Sequence, residues 1–307
     1  MQTYAIIKGN LVENIIEYES QPTTPPPGFS DGYIAVQADR VSPGWLYENG
    51  AFVDTTFPIY FKLWGAGGGS GNIQCGASQN SGGGGGFVSG TLLGYTSGTL
   101  NIYVGGGGSN GGGSAYGGGG PAGDANAGSG GGATYVYLDA TLLMVAGAGA
   151  GQGAAGGYPN GTDGCAGSGG TQSAGGIACT GGYGGGGGGV TAGSSLQGGQ
   201  GAGCNGGGGG SGYYGGGGGQ GNCGSCPGGS GGGGSSYYHP TLISNFAYSN
   251  GSGTTPGGNT DADWANSAGT GGAWRAGSGY PGRVVITIKG TKYTFGYTGS
   301  LQTLAIT

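Results

Sequence analysis

The chain has 307 residues, of which 93 are glycine, 7 are basic and 12 are acidic, and its formal net charge is −5. So few basic residues exclude the positively charged footprint that nucleic-acid binding needs, and they exclude Arg-Gly-Gly RNA-binding tails for the same reason. No basic residue occurs between Lys62 and Arg275, and no glutamate follows Glu48. The centre of the chain therefore lacks the charges that most enzymes use, and we expect no catalytic activity.

Residues 1–54 have an ordinary composition and predict a small β domain that serves in attachment or oligomerisation. Apolar segments at residues 4–8 and 11–16 flank the turn signal Gly9-Asn10, which indicates a β-hairpin. Residues 33–36 predict a further strand, and residues 44–53 predict a second hairpin that turns at Asn49-Gly50. A domain of this size has marginal stability by itself, so we expect it to pack against a neighbouring domain or to oligomerise.

Residues 55–290 form the glycine-rich region, which is interrupted by short apolar segments that predict strands. The predicted strands lie at residues 59–64, 87–93, 99–104, 133–138, 142–146 and 283–289. The region as a whole is expected to be mainly β, with almost no α-helix.

The glycine runs between these strands have two interpretations: a flexible spacer or a packed lattice. Glycine readily adopts an extended helix of three residues per turn, polyglycine II, which makes hydrogen bonds only to neighbouring helices. Ordering a residue's backbone costs about 1–2 kcal/mol, and each hydrogen bond returns about 0.5–1.5 kcal/mol, so such a lattice needs anchors. We favour packed polyglycine II helices anchored by the strands, with Ala, Ser and Asn marking outer faces or turns.

Residues 291–307 predict a C-terminal strand with two apolar sets. Tyr293, Phe295 and Tyr297 alternate along one face, and Leu301 and Leu304 follow the turn at Thr298-Gly299. We expect this strand to pair beside residues 59–64 and 284–288. Pairing within the subunit and exchange between subunits both remain open, and exchange is favoured.

Six cysteines fall in the glycine-rich region, an even number that suits disulfides in an oxidising setting. Free thiols and a metal knuckle at Cys223-Gly-Ser-Cys226 are the alternatives, but zinc would need two further ligands and His239 is the only histidine. We therefore predict no cofactor and no metal. The disulfide candidates are Cys75, Cys165, Cys179, Cys204, Cys223 and Cys226.

Aromatic residues at breaks in the glycine runs are the strongest interaction candidates. Rigid aromatic side chains on Gly/Ser-rich loops provide a large contact area at low entropic cost. The alternative is that they seal the ends of the lattice. The candidates for receptor contact are Tyr213, Tyr214, Tyr237, Tyr238, Tyr183 and Trp264.

Two acidic residues, Asp261 and Asp263, alternate just before Trp264 and therefore share a face of an extended segment. They are suited to binding a cation or a sugar, or they simply solvate a loop. His239 has no nucleophile motif beside it, and the glycine runs lack the Lys-Ser/Thr of a phosphate-binding loop.

Two parts of the chain resemble known families. Residues 4–16 and 44–52 are similar to the small β domain that begins many phage tail-fibre and fibre-assembly proteins. Residues 57–289 resemble the bacterial and phage glycine-rich domain family, through WGAGGG at 64–69, ATYVYLDATLLMVAGAGAG at 133–151 and GRVVITI at 282–288. This series is also similar to the tail-fibre tip adhesins of T-even-like phages.

The resemblance implies a phage tail-fibre or virion-associated adhesin that binds a host surface receptor or glycan through Gly/Tyr/Ser-rich loops. The alternative is a structural subunit of an extracellular or virion fibre, assembled by strand exchange. Either implies a homo-oligomer or other fibre proteins as partners, and a virion or extracellular location. Neither a signal peptide nor an apolar segment of about 20 residues for membrane insertion is evident in the sequence. In the family, a segment like residues 297–306 precedes the WGAGGG strand, whereas here it closes the chain.

Overall fold

The structure is a computed structural model that describes residues 2–8, 11–18, 33–37, 46–48, 51–53, 57–72, 81–95, 97–153, 174–177, 191–221, 228–274 and 277–306. The described residues form strands and extended segments and contain no α-helix. The chain divides into two compact units, Met1–Pro58 with Leu93–Thr96, and Ile59–Leu92 with Ser97–Thr307.

The first unit is built on one antiparallel five-stranded sheet. Its strands are β1 (Gln2–Lys8), β2 (Leu11–Tyr18), β3 (Tyr33–Gln37), β4 (Leu46–Glu48) and β5 (Ala51–Val53), in the order β3-β1-β2-β4-β5. Both predicted hairpins are present, as the pairs β1–β2 and β4–β5. The core cluster contains Ala5, Ile7 and Val12, against which Ile15 and Val36 pack.

The second unit contains two further antiparallel sheets of five strands each. One has the strands β8 (Gly98–Tyr103), β9 (Thr134–Leu138), β10 (Thr141–Ala146), β11 (Tyr237–Tyr238) and β15 (Gln302–Ile306), in the order β11-β10-β9-β8-β15. The other has the strands β6 (Phe57–Trp64), β7 (Phe87–Tyr95), β12 (Ile243–Ser249), β13 (Arg283–Ile288) and β14 (Thr291–Phe295), in the order β12-β7-β6-β13-β14.

These two sheets face each other and enclose a side-chain core. Along β6, Ile59, Phe61 and Leu63 are buried while Tyr60 between them is exposed, the alternation of a strand with one face inward. The sheets are in contact at Met144, since its Cε lies 3.3 Å from the position that a β-carbon on Gly90 would occupy. The predicted strand anchors thus form a sandwich.

Glycine runs leave this sandwich at one end. Strands β6, β8 and β10 lead directly into runs, and β7, β9 and β13 directly follow them. Because β6 and β13 are antiparallel, with Trp64 opposite Arg283, the end of one and the start of the other lie at the same edge. The sandwich therefore holds the glycine runs side by side.

The run at residues 65–70 shows how the glycines pack. In chain order, the six amides of residues 65–70 donate to the carbonyls of Gly86, Gly132, Tyr280, Gly83, Ser129 and Gly277. The first and fourth amides thus donate to one neighbouring run, the second and fifth to another, and the third and sixth to a third. Carbonyls of the run accept from three other segments, through the amides of Gly108, Gly149, Gly272 and Gln152. A repeat of three residues with six neighbours is the pattern of packed polyglycine II helices.

A second central run, residues 206–211, repeats this arrangement. Its amides donate to the carbonyls of Ala202, Gly229, Gly128, Gly199, Gly232 and Gly131, and its carbonyls accept from the amides of Gly123, Gly219, Gly151, Gly120, Gly216 and Ala148. The two central runs share residues 128–133 and 147–152 as neighbours, so they belong to one lattice.

The lattice leaves no room for most side chains. A β-carbon added to Gly208 would lie 2.0 Å from the Gly120 carbonyl oxygen, and one on Gly68 would lie 1.9 Å from that of Ala150. The expectation that Ala and Ser mark outer faces is wrong, because Ala66, Ser70 and Ser129 are fully buried within runs. Small side chains thus fit at selected lattice positions.

The C-terminal segment forms two strands, and both pair within the chain. Strand β14 lies beside β13, while β15 crosses to the other sheet and pairs with β8, where Leu304 is opposite Leu100. The sequence favours exchange of this strand between subunits, and it predicts that the whole segment pairs beside residues 59–64 and 284–288. The observed pairing differs from both expectations, because β15 lies in the other sheet. The connection between Phe295 and Gln302 is long enough to pass from one sheet to the other, so the same chain completes both edges.

Candidate functional site

Three of the tyrosines singled out in the sequence, Tyr213, Tyr214 and Tyr237, lie where the lattice meets the sandwich. Tyr213 stacks on Tyr237 with ring centroids 4.1 Å apart, and Tyr214 stands edge-on to Tyr213 at 4.9 Å. The amides of Tyr213 and Tyr214 are held by the backbone oxygen and the hydroxyl of Ser235. The structure therefore brings three of the six candidates together.

Tyr238 belongs to a different surface, because successive strand residues point to opposite faces. It stacks on Phe246 of β12 at 4.1 Å, and Phe246 in turn stacks on Tyr248 at 5.9 Å. The expected patch of four tyrosines is thus divided between two faces of the sheet.

Strand register extends the first group across four strands. Tyr103 lies opposite Tyr135, Tyr135 opposite Val145, and Val145 opposite Tyr237. Residues directly opposite in a sheet share a face. The four side chains therefore form one row on the side of the sheet that carries Tyr213.

Further aromatic rings surround this row. Tyr103 and Tyr135 stack at 4.6 Å, and Tyr137 is edge-on to both, at 6.2 and 6.0 Å. Tyr297 packs on Tyr116 at 6.0 Å. We call this surface the tyrosine face, and its members are Tyr103, Tyr116, Tyr135, Tyr137, Tyr213, Tyr214, Tyr237 and Tyr297.

Four phenols of the tyrosine face have pKa values above the usual value, which keeps them neutral at neutral pH. Burial, followed by the charges of neighbouring tyrosines, raises the pKa of Tyr135 to about 12. Burial likewise raises the pKa values of Tyr116, Tyr137 and Tyr237 above the usual value. Each of these hydroxyls can therefore both donate and accept hydrogen bonds to a ligand.

Sequence reasoning missed Tyr103, Tyr135 and Tyr137. The spacing of Tyr135 and Tyr137 in a predicted strand does indicate that both share a face. Nothing in the sequence, however, tells which strand lies beside which, and only the register brings Tyr103 and Tyr237 into the same row.

The acidic pair is already neutralised by lysines. Lys62 Nζ lies 2.9 Å from Asp261 Oδ1 and 2.8 Å from Asp263 Oδ2, and Lys292 Nζ lies 2.6 Å from Asp263 Oδ1. Hydrogen bonds from Lys292 and then Lys62 lower the pKa of Asp263. Burial lowers the pKa of Lys62, but hydrogen bonds to the two carboxylates outweigh this and raise it. These contacts explain the pair as a structural ion-pair network.

Trp264 lies beside this network and away from the tyrosine face. It packs against a cluster of Trp64, Phe87, Ala268 and Val285, and its Nε1 donates to the Ala268 carbonyl at 2.9 Å. Trp264 therefore covers the outer face of the sheet that contains β6 and β13.

Among the C-terminal candidates, Tyr293 and Phe295 share one face of β14, opposite Ile286 and Val284. Tyr297 belongs to the tyrosine face, Leu301 is exposed, and Leu304 is half-buried in β15.

Cys204 is disulfide-bonded. The remaining candidates fall outside the described residues and are Tyr183, Cys75, Cys165, Cys179, Cys223 and Cys226. His239 Nδ1 is 3.2 Å from the Thr241 hydroxyl.

The described ranges hold no cluster of three or more His, Cys, Asp or Glu side chains suited to a metal ion. Nor does this part of the chain include a helix long and apolar enough to cross a membrane. Neither a scan of protein-family models nor a search of curated proteins finds a match to this chain.

Proposed function

We propose that the chain is an adhesin of a phage tail fibre or virion, which binds a glycan of the host cell surface through the tyrosine face. The observation that carries the proposal is the row Tyr103–Tyr135–Val145–Tyr237, which contains no acidic or basic residue and is set across four paired strands. Aromatic rings with polar tips suit a ligand that has both apolar ring faces and hydroxyls, as sugars do.

Rigidity supports this use of the surface. Ring stacking and strand pairing fix Tyr103 and Tyr135, while stacking on Tyr237 and the two amide hydrogen bonds that Ser235 accepts fix Tyr213 and Tyr214. A ligand then meets side chains that lose little further entropy on binding. The location expected with this function is a virion or an extracellular fibre.

Matched tyrosine substitutions test the proposal. Tyr137→Ala, Tyr214→Ala and Tyr297→Ala together should leave the fold intact and greatly reduce binding to glycan arrays and to a panel of bacterial cells. A control variant carries Tyr60→Ala, Tyr280→Ala and Tyr293→Ala, three exposed tyrosines away from the row, and should bind as the parent chain does. Equal binding by both variants, with unchanged melting temperatures, contradicts the proposal.

The alternative is a fibre subunit that assembles by strand exchange. The main argument for strand exchange is that the C-terminal strand has no evident pairing position in its own subunit. Here β14 pairs with β13 and β15 pairs with β8 of the same chain, so exchange is not required to pair them. Deleting residues 291–307 distinguishes the two functions. The truncated chain should unfold, because it exposes the edges of β13 and β8, whereas a stable monomer that no longer assembles would favour the fibre subunit.

A further inference from the structure

A groove in the lattice marks a position that no described run occupies. It has a volume of about 140 Å³ and is lined chiefly by backbone from residues 81–86, 148–152, 230–234 and 250–253. Within the described residues, its walls carry no charged side chain. The groove therefore offers backbone polar groups and small side chains to a ligand.

The hydrogen bonds of residues 228–234 show that one of their three sides faces this groove. Amides of Gly229 and Gly232 donate to residues 217–220, and those of Gly231 and Gly234 donate to residues 148–151. Between them, the amides of Ser230 and Gly233 donate to no carbonyl in the described ranges, and neither does that of Gly228 at the start of the run. Ser230 and Gly233 line the groove.

A second wall repeats the pattern. In residues 148–152, the amides on either side of Ala150 donate to central runs of the lattice, whereas the Ala150 amide donates to no described carbonyl. Ala150 also lines the groove. Two runs thus present donors to the same space.

The Ser230 side chain provides an independent observation. It is only 2% exposed, and its Oγ has no hydrogen-bond partner within the described structure. A buried hydroxyl without a partner is costly, so such groups commonly indicate a ligand or water that completes them. Ser230 itself belongs to the groove wall, as do Gly233 and Ala150.

The third wall is less crowded at two positions than at their neighbours in the same run. β-Carbons added to Gly83 and Gly86 would have nearest neighbours at 3.1 and 3.3 Å, whereas those on Gly82 and Gly85 would meet backbone at 1.9 and 2.1 Å. Gly83 and Gly86 line the groove, but Gly82 and Gly85 do not. The two less crowded positions of this run therefore lie at the groove, together with Gly84, where an added β-carbon would meet backbone at 2.3 Å.

We propose that the groove binds an extended glycine-rich peptide segment, which takes the place of one more polyglycine II helix in the lattice. In this conformation three residues rise by about 9 Å, so every third carbonyl points the same way. Ser230 and Gly233 are also three residues apart and belong to a run with the same repeat. Carbonyls of the bound segment accept hydrogen bonds from these amides, and its lack of side chains lets it approach the backbone walls.

The proposal does not depend on the tyrosine face, which lies on the sandwich. The segment comes from a second copy of this chain, because the sequence itself contains uninterrupted glycine runs such as Gly184–Gly189. Another glycine-rich protein would provide the same chemistry, and the experiment separates the two sources.

A labelled peptide tests the proposal on the full chain. The probe is a fluorescent twelve-residue peptide of glycine with lysines at its ends, and the control peptide has alanine in place of glycine. We expect saturable binding of the glycine peptide, detected by fluorescence anisotropy, and much weaker binding of the alanine peptide. In NMR spectra, binding should shift the amide signals of Ala150, Ser230 and Gly233 more than those of Gly231 and Gly232.

Three variants locate the site. Asn250→Trp, at an exposed position in the groove wall, should block binding, whereas Thr241→Trp, at an exposed position elsewhere, should not. Ser230→Ala should weaken binding by about two- to tenfold, the effect of one hydrogen bond. If the chain is a dimer that the peptide or Asn250→Trp dissociates, the segment comes from a second copy; peptide binding by a monomer indicates another protein.

Three results would overturn the proposal. One is the absence of peptide binding at millimolar concentration. Another is equal binding by the parent chain and Asn250→Trp. The third is slow hydrogen exchange at the Ser230 and Gly233 amides before any peptide is added, because the chain would then already fill this position.

Discussion

The sandwich and the glycine lattice of the second unit are held together by opposite means. In the sandwich, the two sheets pack face to face, and large side chains such as Phe61 and Ile102 fill the space between them. In the lattice, backbone touches backbone, and a β-carbon on Gly208 would overlap a carbonyl. Removing side-chain atoms should therefore destabilise the sandwich, whereas adding side-chain atoms should disrupt the lattice.

The largest expected effect is from adding a side chain to a central lattice run. Gly208→Val should abolish folding of the second unit, or lower its free energy of unfolding by more than about 4 kcal/mol. The reason is that the added side chain overlaps the Gly120 carbonyl, a backbone group that cannot change rotamer to make room. Protease resistance and the melting temperature measure this. Gly113→Val is the matched control, since a β-carbon there meets nothing within 4 Å, and it should melt close to the parent chain. Full stability of Gly208→Val would show that this run is not interior; the equivalent test at Gly186 falls outside the described residues.

The second effect is from removing atoms from the sandwich. Phe61→Ala should cost about 3–5 kcal/mol of unfolding free energy, because it leaves a cavity between the sheets. Its neighbour Tyr60 is 50% exposed, so Tyr60→Ala should change the same quantity by only about 0.5 kcal/mol. Denaturant unfolding compares the two, and similar losses would contradict the alternation of β6.

Removing atoms from the lattice should have a smaller effect. Ala66 is fully buried at the start of the central run, yet Ala66→Gly keeps its backbone hydrogen bonds. We expect a loss of about 1–2 kcal/mol, from one methyl group and the greater freedom of glycine when unfolded. A loss of unfolding free energy as large as that of Phe61→Ala would mean that side-chain packing also stabilises the lattice.

The smallest effect concerns the ion pairs on the outer face of the β6–β13 sheet. The pKa of Asp263 is lowered in the folded chain from the ordinary value of 3.8, so its contribution to stability is present above pH 3.8 and is lost as the pH falls through the lower folded value. The pKa of Lys62 is raised above 10.5, so its contribution is present below pH 10.5 and is lost at higher pH. Asp263→Asn should flatten the acid side of a plot of melting temperature against pH. An unchanged slope would assign the acid sensitivity to other groups, and high salt should reduce the effect because exposed pairs are screened.

Local signals predicted the strands well, for reasons that the structure makes plain. The apolar alternation at residues 59–64 and the turn signal at Asn49-Gly50 depend on neighbours in the chain, and both lie in strands or hairpins as expected. The lattice was also foreseeable, because runs of pure glycine between strands have few other ways to bury themselves. Where Ala66 and Ser70 fit was not foreseeable, because this depends on which run lies beside them.

The sequence by itself determined the mainly β fold, the hairpins and the absence of a side-chain core in the glycine runs, since these follow from residue type and local spacing. Tertiary structure alone decided the pairing of β15 with β8, the division of Tyr237 and Tyr238 between two faces, and the row that joins Tyr103 to Tyr237. It also placed Lys62 beside Asp261 and Asp263, some 200 residues further along the chain. These contacts join distant segments through strand register, which is set by the packing of the whole unit and not by any local pattern.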